Sequence, residues 1–116
     1  MEENNAKYEE LIRAFHLTWD GFPGRARLIN KDNYVLAVNR AAEAEGFTAG
    51  QICAKMGPPE SHKGCRKALA LSTQTAQMDR PAENKIRAWV PVDGYPDIVV
   101  HFSVFLPEWG QDSTKI

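Results

Sequence analysis

Residues 26–52, ARLINKDNYVLAVNRAAEAEGFTAGQI, decide the fold. Residues 26–30 and 34–39 are short apolar runs rich in Leu, Ile and Val, each the length of an ordinary strand. Between them Asn30-Lys31-Asp32-Asn33 supplies turn-forming side chains, and Asn33 tolerates the left-handed conformation at modest cost. Asn39 ends the second run and is placed to cap a helix, its side-chain oxygen accepting from an otherwise unpaired backbone N–H. Residues 40–45 predict a short Ala/Glu helix stopped by Gly46, and Thr48 the N-cap of a second short helix.

Before this stretch, Tyr8, Leu11, Ile12 and Phe15 recur at helical spacing among charged residues, which predicts an amphipathic helix. Its apolar stripe must cover either the outer face of the sheet or a matching helix of a partner. Trp19-Asp20-Gly21-Phe22-Pro23-Gly24 reads as a linker whose aromatics pin that helix to the sheet edge. Beyond Ile52, Gly57-Pro58-Pro59 is a break, and Pro59-Glu60 suits the first turn of a longer helix over residues 60–72. Cys65, Ala68, Leu69 and Ser72 share its core-facing side, with Lys63, Arg66 and Lys67 toward water. Three strands follow. Residues 75–79 form a short one stopped by Pro81, and residues 84–92 alternate, with Ile86, Ala88, Val90 and Val92 on one face. After a turn at Asp93-Gly94-Tyr95-Pro96, residues 97–106 place Ile98, Val100, Phe102, Val104 and Leu106 on one side. Val99, His101, Ser103 and Phe105 take the other.

Strand, hairpin, strand ending in Asn, short helix, Gly, longer helix and three strands is an order that resembles the PAS domain family. The resemblance is carried by Asn30-Lys31-Asp32-Asn33, Val38-Asn39-Arg40-Ala41-Ala42, Gly46, Pro59-Glu60 and the hairpin near Gly94. The chain departs in using Asn where the family's first hairpin has Asp and Gly. The resemblance implies an α+β fold, a five-stranded antiparallel sheet with short helices on one face. The expected layout is an N-terminal helix and linker over residues 1–24, a PAS-like domain over 25–106 and a polar tail over 107–116. It also implies a sensory or interaction module with a small ligand between the helices and the inner sheet face. Candidates for that pocket are Leu28, Val35, Ile52, Leu69, Ile86, Val90, Val100, Phe102 and Val104. A homodimer paired through Tyr8, Leu11, Ile12 and Phe15 is implied too, as is a signalling partner or effector.

Composition bounds these readings. A chain of 116 residues forms one domain able to bury its own core. A net charge of −1 gives no reason to expect nucleic acid or an anionic membrane as partner. No apolar run approaches the roughly 20 residues that span a bilayer. The polar start MEENNAKYEE is unlike a secretory signal, so the cytoplasm is the expected compartment.

The sharpest chemical constellation is Cys53, His62 and Cys65. His62 and Cys65 lie three apart, on one side of the expected helix, and Cys53 sits just across the Gly-Pro-Pro loop. Two thiolates and an imidazole suit zinc or another soft metal. Buried structural cysteines are the other reading of the same residues. A subset of PAS domains has a Cys followed by a Cys-x-x-Cys pair here, and His62 stands in place of the pair's first Cys. The resemblance further admits a haem held by His62 or His101, although the alternation sets His101 on the face opposite the expected core. The flavin-binding signature Asn-Cys-Arg-Phe is absent, as are phosphate-cradling Gly loops and a Ser–His–Asp signature, and no enzyme is expected. A thiol at Cys65 with His62 as base is the one nucleophile pair the spacing offers.

Overall fold

The structure, a computed structural model, describes residues 8–52 and 65–107. Its elements are α1 (Glu9–Trp19), β1 (Arg25–Asn30), β2 (Val35–Val38), α2 (Arg40–Ala44), α3 (Lys67–Thr73), β3 (Gln77–Ala82), β4 (Lys85–Val92) and β5 (Tyr95–Phe105). The strands form one antiparallel sheet in the order β2-β1-β5-β4-β3. The first and last strands of the chain therefore meet in its middle.

Local chemistry sets the turns. Asn30 Oδ1 accepts from the N–H groups of Asp32 (2.9 Å) and Tyr34 (3.0 Å), and Asn33 takes φ +68°. Both are the behaviour expected of an Asn-rich hairpin. Asn39 caps α2 as expected, its Oδ1 accepting from the Ala42 N–H at 3.0 Å. It does more than cap. The same oxygen accepts from Ala26 N–H, and Nδ2 donates to the carbonyls of Trp19 and Gly24, each at 2.9 Å. One fully buried amide thus ties α1, the linker, β1 and α2 together. Gly24 is needed in that joint for a second reason: a Cβ there would lie 2.1 Å from the Ser103 carbonyl oxygen.

Some boundaries differ from expectation. Thr48 does not start a helix: residues 48–52 form a turn and an isolated bridge. Gly50, at φ +90°, turns the chain instead, and Gly50 N–H and Gln51 C=O bond to Val35 along the β2 edge. β3 runs through Pro81 to Ala82, with a bulge after Asp79. An outermost strand tolerates proline because its missing N–H need not enter a ladder. The first residues of the expected longer helix lie outside the described residues.

The sheet buries both faces. On one, Leu11 and Phe15 of α1 pack with Ala26, Leu28, Ile98 and Val100. Trp19, Phe22 and Phe102 form an aromatic cluster there, with ring centroids 5.1–5.5 Å apart. On the other, Ile29, Val35, Val38, Val99 and Trp89 pack with Ala42 of α2 and Ala70 of α3. This reverses the expected inner face. Leu28, Val100 and Phe102 belong with α1, and cross-strand pairing puts Val90 opposite Val100 and Ile86 opposite Val104 on that side. Of the pocket candidates Val35 joins the α2/α3 cluster, Ile52 bridges to Tyr34, and Leu69 is 48% exposed. Alternation separates two sets of residues without saying which helix each will meet. Here α1 took the more apolar set.

Candidate functional site

The face toward α2 and α3 changes character along the strands. Val35, Ile29, Val99 and Pro91 make an apolar row across four strands. Two residues further along β1, β5 and β4, and three along β2 across its register shift, pairing sets Val38, Arg27, His101 and Trp89 in one row that Gln77 of β3 extends. The next row is Arg25, Ser103, Arg87 and Asp79, and beyond it Lys85 pairs with Phe105. Adjacent strands lie about 4.8 Å apart, so Arg27 and Trp89 flank His101 at one strand spacing each.

His101 stacks on Trp89 with centroids 4.8 Å apart and planes 5° from parallel. Its Nδ1 lies 2.9 Å from the Ala88 carbonyl, which can only accept, so Nδ1 carries the proton and Nε2 presents a lone pair. Burial, then the positive charge of Arg27, pushes its pKa down to about 3, and the imidazole is neutral at physiological pH. Trp89 is 1% exposed and its indole N–H has no hydrogen-bond partner among the described residues. A buried donor left this way costs about 1–3 kcal/mol.

Cations crowd the same surface. Arg87 holds Asp79 in a two-bond fork, Nε to Oδ1 at 2.9 Å and Nη2 to Oδ2 at 2.6 Å. Those bonds hold the Asp79 carboxyl below the usual carboxylate range, against the opposing effect of burial. Arg25 lies 3.7 Å from Glu45, and the guanidinium carbons of Arg25 and Arg27 sit 5.3 and 4.8 Å from the centre of the Phe47 ring. Lys85 has its pKa pushed down by burial first and then by the charges of Arg25 and Arg87. Among the described residues Arg25, Arg27, Lys85 and Arg87 are opposed here by Asp79 and Glu45.

The expected site residues are dispersed. Cys53 and His62 lie outside the described residues, and Cys65 is an exposed free thiol rather than part of a core-facing stripe. Among the described residues no group of three or more His, Cys, Asp or Glu is placed to hold a metal ion. His101 stands on the α2/α3 face, the reverse of its expected side, because that face is the one turned away from α1. Lys67, expected toward water, is buried, and its Nζ donates to the carbonyls of Asn30 (2.9 Å) and Lys31 (3.0 Å). Its long stem lets α3 clasp the first hairpin, a role no local pattern signals. In the α1 stripe, Leu11 and Phe15 are buried on the chain's own sheet and Tyr8 meets Tyr95 edge-on. Of the two routes open to that helix, it covers the sheet. A cleft of about 420 Å³, lined by Ile12, His16, Val38 and Glu43 among others, lies between α1 and β2. No helix among the described residues is long and apolar enough to cross a membrane.

Comparison with models of known families and with curated proteins gave no match. Comparison with solved structures did. The crystal structure of a sensory box sensor histidine kinase from Vibrio cholerae is similar, with a TM-score of 0.62 at 14% identity. The match covers 92% of this chain and 97% of that one. The fold is therefore α+β and PAS-like, a five-stranded antiparallel sheet with short helices.

Proposed function

We infer that the chain is a sensory module, in which a small molecule bound on the α2/α3 face of the sheet alters contacts made to a signalling partner. The observation that carries this reading is the row Arg27–His101–Trp89. It gathers a cation, a neutral imidazole and an indole N–H with no partner among the described residues, on the face opposite α1. Core packing alone has no use for an unpaired donor and a desolvated imidazole; a ligand with matching groups does. The likeness to a sensory box kinase domain agrees with it. Asn39 gives a route outward, since it bonds α2 on one side and the end of α1 on the other.

The test is a fragment screen read by two-dimensional NMR, with the Trp89 indole signal assigned through Trp89→Phe. Binders are expected to move the signals of Trp89, His101 and Arg27. A library whose binders all map to α1 and its cleft, or which yields none, overturns the reading.

A further inference from the structure

The cleft between α1 and β2 is separate from the face just described, and its lining sets a different chemistry. Glu9, Ile12 and His16 follow one another at spacings of three and four on α1, so they line it from one side of that helix. β2 supplies Leu36, Ala37 and Val38, all buried, and α2 and the loop after it supply Glu43, Thr48 and Ala49. At about 420 Å³ the space falls within the roughly 300–1,000 Å³ of small-molecule sites. We propose that this cleft is a second binding site, for a small organic cation: an ammonium group carried on an apolar body.

Charge selects the head group. Glu9 and Glu43 bring carboxylates to the cleft from two different helices. Asp20 accepts from His16 Nδ1 at 2.9 Å, so the neutral ring has only Nε2 left, and that nitrogen accepts. The Thr48 hydroxyl is a further acceptor. A donor-rich cation matches this set, whereas an anion would meet like charge from both helices. The protein's own cations compete weakly. Arg13 lies 3.8 Å from Glu9, with both side chains about three-quarters exposed, a pair that water screens. Neither Glu43 nor Arg40 of the same helix has an ion pair among the described residues. The apolar lining selects the rest of the molecule, since a hydrocarbon body would cover Ile12, half-buried, and Ala49, exposed.

The experiment titrates the full chain with phenethylamine, beside its neutral and anionic counterparts, phenethyl alcohol and 3-phenylpropionate, and beside methylamine, which lacks the apolar body. The readouts are the backbone amide signals of Leu36, Ala37 and Val38 and the ring signals of His16. Phenethylamine is expected to shift them, with the other three weaker by about tenfold or more, the scale of one lost hydrogen bond to a charged group. Glu9→Gln and Glu43→Gln are each expected to weaken it similarly. Both side chains are exposed, so folding is not at stake. Glu10→Gln, on α1 but outside the cleft, should leave the affinity unchanged. Equal binding of the alcohol or the acid overturns the cation, and equal binding of methylamine overturns the apolar body. Unaltered affinity in both carboxylate variants overturns the recognition proposed for them. A lysine-bearing peptide that binds more tightly than the amine overturns the small ligand in favour of a protein partner. Phenethylamine that shifts nothing up to millimolar concentration, or shifts only Trp89 and His101, overturns the site. The sensory reading of the opposite face stands or falls separately, on the signals of Trp89, His101 and Arg27.

Discussion

The two faces of this sheet are made from alternate residues of the same strands and bury very different things. The α1 face holds Leu28, Ile98 and Val100 under Leu11 and Phe15, an apolar contact closed by the chain's own helix. The α2/α3 face begins as an equally apolar row and then turns into Arg27, His101, Trp89, Arg25 and Arg87 within a few residues of each strand. A domain that needed only to be stable would gain nothing from the second arrangement. Each desolvated arginine needs a counter-charge, the imidazole is held neutral, and one indole donor has no partner among the described residues. The difference separates an apolar face closed by α1 from one that also buries charged and polar side chains.

The largest expected effect belongs to Asn39, where the two faces are joined. Asn39→Ala removes four hydrogen bonds and strands the N–H of Ala26 and the carbonyls of Trp19 and Gly24. Urea unfolding should show a loss of about 3–5 kcal/mol, from breaking a buried network. A loss under 1 kcal/mol, the scale of one cap, would mean that the amide is only a helix cap and not the joint. Leu28→Ala breaks the α1 face alone. With the side chain fully buried, it should cost about 2–5 kcal/mol and leave the signals of Trp89 and His101 where they are. If those signals moved, the faces would not be separable in the way the packing implies.

Acid sharpens the contrast from the other side. The unfolded His101 titrates near 6.5 and the folded one near 3, so below 6.5 the unfolded chain binds more protons. Stability is unaffected by this group above that pH, declines as pH falls from 6.5 toward 3, and has lost the whole contribution below it. His101→Gln should flatten the decline in melting temperature between pH 6.5 and 4.5. Asp79, held low by Arg87, adds its own loss only at and below the ordinary carboxylate range. Identical pH profiles for the two proteins would show that His101 is not held neutral. The smallest effect is in the first hairpin, remote from both contrasts. Asn33, at φ +68°, should accept Gly with little change, whereas Asn33→Val should cost about 1 kcal/mol or more. Equal melting temperatures for the two variants would remove the turn's left-handed requirement.

Signals local in sequence were legible from the chain alone. The hairpin at Asn30–Asn33, the cap at Asn39, the stop at Gly46 and the alternation of β4 and β5 each depend on neighbours a few residues away. Together they were enough for the order of the strands and, with the family resemblance, for the PAS-like fold. The candidate site was not legible. Alternation placed Val99 and His101 on one side of β5 and Val100 and Phe102 on the other, and it set the second pair toward the later helices, whereas they pack with α1. Which set meets α1 depends on where a helix about 80 residues earlier comes to rest. Lys67 was read as solvated because only the folded chain brings the carbonyls of Asn30 and Lys31 within reach of its ammonium. Arg27, His101 and Trp89 are ordinary residues in three separate strands, and only antiparallel pairing through the central β1–β5 contact makes them a row. The sequence by itself determined where the chain turns and which residues alternate, because hydrogen bonds and sterics over a few residues are enough for that. The tertiary structure alone decided which face holds the charged row, because register and helix docking join residues far apart in the chain.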